Sequence, residues 1–172
     1  MDKNPNRVRI AIVALSVSAA AFVNIISSEG YTEKATVPTE NDRPTVGFGS
    51  TFRDDGKPVQ MGDTITPPKA VARSHAHIVN DEVGIKRCIR APLYQAEYDT
   101  LVDFAYQYGA GKTCISQMVR EVNLGNYAKA CEGYLLYKHS GGSDCSIPGN
   151  KRCSGVWVRN KKRYTACMQA QA

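Results

Sequence analysis

The sequence of 172 residues predicts an α+β fold in which a short strand region precedes a series of helices. Residues 45–49 alternate glycine with β-prone residues, which indicates a short strand. From Thr66 onward, apolar residues recur at helical spacing in segments separated by glycine-rich or polar stretches. The hydrophobic content of 42% and the charged content of 22% are those of an ordinary folded protein. The length suits one domain, or two lobes that share a core.

An uncharged, apolar segment lies near the N-terminus. Residues 10–26 carry no charge and follow the basic residues Lys3, Arg7 and Arg9. This length is at the short end for a membrane span. The strongly apolar residues of the segment favour insertion by only about 3–5 kcal/mol in total, and its three polar residues reduce that figure. Membrane insertion is therefore expected to be feasible but weak.

Three interpretations of this segment stay open. The run Ala19–Ala21 fits the small-residue pattern of signal-peptide cleavage. Apolar character nevertheless continues beyond that run to the edge of Glu29, which favours a segment that is kept. A buried core helix in a cytosolic protein is the third interpretation, and the flanking positive charges count against it.

The later elements follow from local signals. Residues 54–57 (Asp-Asp-Gly-Lys) indicate a turn. Thr66 before two prolines is a typical helix start, and apolar spacing carries that helix to about Cys88. Further helices are predicted over 95–108, 115–122 and 127–137.

The six cysteines all lie in the second half of the chain, and none forms a C-x-x-C pair. An even number behind an export-like N-terminus indicates disulfides, while six buried thiols in a cytosolic protein are the alternative. Cys145 and Cys153 are close enough in sequence to form a local bridge. For the other four, helix placement suggests the pairs Cys88–Cys167 and Cys114–Cys131.

The net charge of +6 favours an anionic partner. The basic residues do not interleave with aromatic residues as RNA-binding surfaces require, so we expect an anionic cell envelope and no nucleic acid. His75 and His77 point about 200° apart on a helix and cannot share a metal ion, so we expect a structural or solvent role for them.

Two groups of residues carry candidate chemistry. Glu29-Gly30 places an acid at a helix end, and Asn41 to Ser50 adds a further carboxylate and the glycine-alternating strand that begins at Thr45. Two carboxyl groups across a gap are what glycosidic bond hydrolysis needs, one as the general acid and one to assist a water molecule or attack the sugar.

This arrangement resembles the phage-type lysozymes, the muramidase endolysins of glycoside hydrolase family 24. Glu29-Gly30 and Thr45-Val46-Gly47-Phe48-Gly49 match the signature of that family. The usual spacing would place the middle acid at Pro38, so this loop departs from the pattern. We select Asp42 for that role and Glu40 as the alternative.

The resemblance implies hydrolysis of the β-1,4 bond between N-acetylmuramic acid and N-acetylglucosamine, with Glu29 as general acid, Asp42 as second carboxylate and Thr45 orienting the water. It implies a lysozyme-like α+β fold in which a small catalytic lobe is joined by a long helix to a helical lobe. No metal or organic cofactor is implied, and we expect a monomer. The expected division is an anchor over 1–26 and a catalytic domain over 27–172, the latter consisting of 27–66, a linking helix over 67–88, and 89–172.

The resemblance also bears on residues 10–26, because some phage endolysins carry an uncleaved signal-anchor that later leaves the membrane. The partners would then be the host export machinery, the bacterial inner membrane before release, and periplasmic peptidoglycan afterwards. Two other functions stay open: an exported module that binds the cell wall without catalysis, and a chitinase-type hydrolase on the same fold.

Overall fold

The computed structural model describes residues 8–38 and 42–172. A short 3-10 helix, Ile12–Ala14, precedes the regular elements. These are, in chain order, α1 Ala19–Glu29, β1 Thr32–Thr36, β2 Thr45–Gly47, α2 Pro67–Lys86, α3 Gln95–Tyr108, α4 Ala110–Cys114, α5 Gln117–Asn123, α6 Tyr127–Glu132, a 3-10 helix Gly133–Leu136, β3 His139–Ser140, β4 Ser143–Asp144 and α7 Ser154–Gln169. The predicted α+β class is confirmed.

The chain divides into two compact units. The first, called the strand unit here, is Val17–Asp81. The second, called the helical unit, is Glu82–Ala172 together with the described part of Met1–Ser16. The long helix predicted over 67–88 is present and ends two residues earlier, at Lys86. The helix predicted over 95–108 has those bounds.

The strand unit is built on the antiparallel pair β1 and β2, which is irregular between the partner pairs Thr32–Gly47 and Thr36–Thr45. Its core contains Ala35, Val46, Val59, Ile65 and Ala70, with Phe48 packed against them. A Cβ at Gly47 would lie 3.0 Å from the Cβ of Ala70, and Gly47 has a φ of +69°. Glycine is therefore required where β2 crosses α2.

The loop between β2 and α2 is held by two ion pairs. Nε and Nη2 of Arg53 lie 2.6 and 2.7 Å from the two carboxylate oxygens of Asp63. Nε of Arg73 donates to Asp54 at 2.6 Å. Paired hydrogen bonds from one guanidinium fix both partners in orientation, so this loop is well defined although it contains little regular structure.

The helical unit is centred on α3, whose Phe104 is fully buried. The ring of Phe104 contacts those of Tyr108, Tyr134 and Tyr137 at centroid distances of 4.4, 5.8 and 4.6 Å. On another side of α3, Asp103 accepts hydrogen bonds from Arg159 and from the buried Arg163 of α7. These contacts attach α7 to α3.

The first described residues belong to the helical unit and are held there by backbone and side-chain contacts. The backbone of Ile10 exchanges two hydrogen bonds with Leu93, of 2.8 and 2.9 Å. Arg9 donates from Nε and Nη2 to the buried carboxylate of Glu97, and from Nη2 to Gln171. Its guanidinium lies 4.1 Å and 3.5 Å from the ring centroids of Tyr94 and Tyr127.

The apolar segment 10–26 is not one continuous helix here. It contains the Ile10 bridge, the 3-10 helix Ile12–Ala14, an extended stretch and the first part of α1. Ile12 and Leu15 are buried. Within the part of the chain that the structure describes, no helix has both the length and the apolar content needed to cross a bilayer.

The three disulfides correct part of the sequence prediction. Cys145–Cys153 is confirmed, but the predicted pairs Cys88–Cys167 and Cys114–Cys131 are wrong. The observed pairs are Cys88–Cys114 and Cys131–Cys167. The reason is helix packing: α6 packs against α7, which brings Cys131 to Cys167, and Sγ of Cys114 lies beside the last turn of α2, 3.7 Å from the carbonyl oxygen of Gly84.

Candidate active site

Glu29 is the last residue of α1. The hydroxyl of Ser18 accepts a hydrogen bond from the backbone of Ala21 and caps the start of this helix. Ile25, one turn before Glu29, is buried and fixes the face that α1 presents to its unit. Gly30 follows with a φ of +71°, which turns the chain out of the helix. The Glu-Gly pair therefore ends the helix and leaves a half-buried carboxylate at its tip.

The glycine-alternating run meets this carboxylate. A Cβ at Gly49 would lie 3.2 Å from Oε2 of Glu29, and Gly49 has a φ of +76°. Both the backbone conformation and the close approach require glycine here. The two stretches that carried the family resemblance, Glu29-Gly30 and Thr45–Gly49, are thus in contact in the fold.

The second carboxylate was predicted in the segment before β2. Asp42 is exposed and lies outside regular structure, three residues before Thr45. Thr45 begins β2 and is half-buried, with its hydroxyl 3.5 Å from the carbonyl oxygen of Thr36. Glu40, the alternative, lies outside the described residues. The roles of Asp42, Glu40 and Thr45 stay predictions.

His77 is a neighbour of Glu29 that the sequence interpretation did not identify. Burial lowers the pKa of its imidazole, and the charge of Glu29 opposes that change. Nε2 of His77 lies 3.4 Å from Oδ2 of Asp81, one turn further along α2. No spacing rule could have found this, because Glu29 and His77 are far apart in sequence.

The two histidines of the His75-x-His77 pair have different neighbours. The ring of His75 makes an edge contact with Phe22, at a centroid distance of 6.0 Å. Within residues 8–38 and 42–172, no group of three or more His, Cys, Asp or Glu side chains is arranged to hold a metal ion.

Comparison with known proteins defines the class first. The fold is that of an endolysin from Escherichia coli O157:H7 phage FAHEc1, with a TM-score of 0.76 and 24% identity over 91% of this chain and 96% of that one. A P22 lysozyme mutant has a TM-score of 0.72 and 27% identity over 90% and 99% of the two chains. The class is that of the lysozyme-like peptidoglycan hydrolases.

The family follows from the sequence. The family model described as phage lysozyme matches residues 26–162, so the chain belongs to the phage lysozyme family. It is 30% identical over 139 residues to the endolysin of Salmonella phage P22, covering 80% of this chain and 94% of the relative.

Two other relatives differ in length or in name. An endolysin of Bacillus phage B103 is 29% identical over 74% of this chain, which spans only 48% of that relative's length. A protein of Bacteriophage PS119, named a SAR-endolysin, is 24% identical over 72% of this chain and 67% of the relative.

Proposed function

We propose that this protein is a muramidase endolysin that cleaves the β-1,4 bond between N-acetylmuramic acid and N-acetylglucosamine. The observation that carries the proposal is the contact between Glu29 at the end of α1 and Gly49 in the turn after β2. This contact joins the two motifs on which the family resemblance rests, within a chain that belongs to the phage lysozyme family.

In this proposal Glu29 protonates the leaving glycosidic oxygen. Its half-buried position, against a glycine with no side chain, leaves room for a sugar oxygen to approach the carboxyl group. Asp42 is exposed and acts as the second carboxylate, and the hydroxyl of Thr45 orients the water. No step requires a bound cofactor.

The central test is Glu29→Gln, with Glu33→Gln as the matched control. Both changes remove one carboxylate from the strand unit, but Glu33 is an exposed residue of β1. Glu29→Gln should reduce the release of soluble fragments from purified peptidoglycan by at least about 10²-fold, because the general acid is lost. The Glu33→Gln variant should release soluble fragments at the wild-type rate. Fragments from the wild-type enzyme should end in muramic acid, and retained activity in folded Glu29→Gln would contradict the assignment.

The second carboxylate is tested by comparing Asp42→Asn with Glu40→Gln in the same assay. We expect the larger loss from Asp42→Asn, because Asp42 is closer in sequence to Thr45 and is followed by Arg43 and the rigid Pro44. A larger loss from Glu40→Gln would transfer the role to Glu40. No loss from either change would require another group to position the water.

We further propose that residues 10–26 first hold the protein in the inner membrane and are later released, so that the active enzyme is periplasmic. Three observations support this: the segment is uncharged, basic residues precede it, and a SAR-endolysin is among the relatives. In this proposal the fold described above is the released form, since the segment is divided between short elements and its Ile12 and Leu15 are buried.

Replacing Ser16, Ser18 and Asn24 with leucine tests the anchor. The triple variant should stay in the membrane fraction and delay lysis, because each change makes insertion more favourable. The matched control replaces the same residues with alanine, which removes the same polar groups, including the Ser18 helix cap, with little gain in hydrophobicity. Unchanged lysis timing in the leucine variant, or a mature protein cut after Ala21, would contradict the release mechanism without affecting the enzymatic assignment.

A further inference from the structure

Two apolar side chains at the ends of α5, in the helical unit, are strongly exposed. Ile115 is 87% exposed and Leu124 is 66% exposed. An apolar residue just before a helix N-cap commonly packs against the fourth helical residue. Here the N-cap is Ser116 and the fourth helical residue is the charged Arg120, and Ile115 stays in solvent. The packing of the helical unit therefore uses little of either apolar side chain.

The loop that follows α2 lies beside both of these residues. The disulfide between Cys88 and Cys114, with 5.7 Å between the Cα atoms, joins this loop to the residue that directly precedes Ile115. Asn123, which directly precedes Leu124, donates from Nδ2 to the carbonyl oxygen of Cys88 at 2.8 Å. The loop around Cys88 is therefore in contact with both ends of α5.

The exposed charges of this region are all positive. Residues 87–131 contain five Lys or Arg residues, which are all exposed, and four acids, which are all buried or half-buried. The buried Glu121 pairs with Arg120 at 3.2 Å and with Lys129 at 3.5 Å. The other three cations have no ion-pair partner among the described residues; they are Arg87, Arg90 and Lys112.

These three cations adjoin the two apolar side chains. Arg87 and Arg90 are within two residues of Cys88, and Lys112 is two residues before Cys114 in the disulfide partner segment. We call the combined set the Cys88 surface; it consists of Arg87, Arg90, Lys112, Ile115 and Leu124.

The composition of the Cys88 surface selects one kind of partner. Cations alone attract any polyanion. Exposed apolar side chains among cations fit an anionic lipid surface better, because the apolar groups enter the interface while the cations contact the phosphates. A soluble polyanion offers no apolar layer for Ile115 and Leu124 to enter.

We propose that the Cys88 surface binds the surface of an anionic phospholipid bilayer. Ile115 and Leu124 enter the headgroup region, and the three cations contact lipid phosphates. This binding is peripheral and reversible, and it uses none of residues 10–26. It goes beyond the proposed muramidase function, because it requires neither Glu29 nor the cleavage reaction.

The test measures binding of the full-length purified protein to sedimented phosphatidylcholine vesicles, made with and without phosphatidylglycerol. Insertion of residues 10–26 would not require anionic lipid and would persist in concentrated salt. Binding through the Cys88 surface should require phosphatidylglycerol and should be reversed at about 1 M salt, where the Debye length is about 3 Å.

The test variant combines Ile115→Ser with Lys112→Glu, and the matched control combines Val158→Ser with Lys162→Glu in α7. Val158 is 45% exposed and Lys162 is exposed, so the control makes the same kinds of change in the same unit and gives the same net charge. Thermal unfolding verifies that both variants are folded.

We expect the test variant to bind anionic vesicles at least about 50-fold more weakly than the wild type. Each basic residue close to an anionic surface strengthens binding about fivefold, and one inserted aliphatic side chain adds about tenfold. The α7 control should lose much less. Equal losses in the two variants, or a larger loss in the α7 control, would overturn the proposal.

Two further outcomes would also overturn it. Wild-type binding that is absent, or that is the same with and without phosphatidylglycerol, would show that the Cys88 surface does not bind anionic lipid. If Ile115→Ser alone binds as tightly as the wild type, the surface recognises charge only, as it would in a soluble polyanion. None of these outcomes bears on peptidoglycan hydrolysis, which is measured separately.

A second readout locates the bound surface. Backbone amide resonances are recorded in anionic bicelles that contain a lipid with a nitroxide on its headgroup. The resonances of residues 112–116 and Leu124 should broaden more than those of residues 158–162. Stronger broadening at residues 158–162 would assign the lipid contact to α7 and overturn the proposal.

Discussion

Replacing Arg9 with methionine should destabilise the protein strongly, although Arg9 lies close to the chain end. Methionine keeps much of the length of the side chain but removes two hydrogen bonds to Glu97, one to Gln171, and the contacts with two aromatic rings. Glu97 is only 3% exposed, so its carboxylate is left buried without its cation.

The magnitude follows from these contacts. Removing one partner of a buried ion pair costs about 3–5 kcal/mol. Arg9 is 22% exposed, and the backbone of Tyr94 and the side chain of Gln171 still donate to Glu97, so we expect the lower end of that range, about 3 kcal/mol. In a protein of this size that corresponds to a fall in Tm of about 6–12 °C.

The assay is denaturant unfolding of the purified, released protein, followed by circular dichroism. Arg90→Met is the matched control, since Arg90 is an exposed residue of the same unit. Arg9→Lys should be intermediate, because an ammonium group keeps the charge but loses the paired hydrogen bonds and the ring stacking. In a double-mutant cycle, Arg9→Met and Glu97→Gln should be coupled by about 1–3 kcal/mol. If Arg9→Met lowers the free energy of unfolding by less than about 1 kcal/mol, the reasoning is refuted.

Three more outcomes are expected. If Glu29 is the general acid, Gly49→Ala should reduce the rate of peptidoglycan hydrolysis at least tenfold, because the added methyl group would press on the Glu29 carboxyl and the φ of +76° is strained for alanine. Unchanged kinetics would contradict this. Replacing both Cys145 and Cys153 with serine should lower the free energy of unfolding by about 2–3 kcal/mol, because the unfolded chain is no longer restricted by the short disulfide loop. Thermal unfolding measures this change. Burial by itself raises the pKa of Asp103, but the charges of Arg163 and Arg159 outweigh burial and hold that pKa below its ordinary value of 3.8. The carboxylate therefore stabilises the fold above pH 3.8, and this stabilisation is lost as the pH falls through the lowered pKa. Unfolding measured between about pH 5 and pH 2 should therefore depend less on pH in Asp103→Asn than in the wild type.

The sequence was most informative where local chemistry decides the structure. The start of α2 follows from Thr66 and two prolines, and the end of α3 from Gly109. In contrast, β1 was not predicted, because Thr32–Thr36 has no apolar alternation and becomes a strand only by pairing with β2. Likewise, the path of residues 10–15 depends on Leu93, a contact that no local pattern contains.

The residues of the candidate site also divide into those that the sequence could identify and those that it could not. Glu29 and the Thr45–Gly49 run could be identified because each follows a local requirement, a helix end and a set of glycine conformations. His77 could not, since it approaches Glu29 only through the packing of α2 within the strand unit. The two wrong cysteine pairs have the same origin: helix bounds were available from the sequence, but which helices are neighbours was not.

The covalent cross-links are unevenly distributed. All six cysteines lie at or after Cys88, so every disulfide belongs to the helical unit, while the described residues of the strand unit are held by backbone hydrogen bonds, side-chain packing and ion pairs. A disulfide restricts the unfolded chain and so makes unfolding of the segment that it closes less favourable. Heating should therefore unfold the strand unit first, while the helical unit stays folded. Inactivation would then precede the loss of most of the helical signal, and amide exchange would be fastest in the strand unit, which contains the proposed catalytic residues.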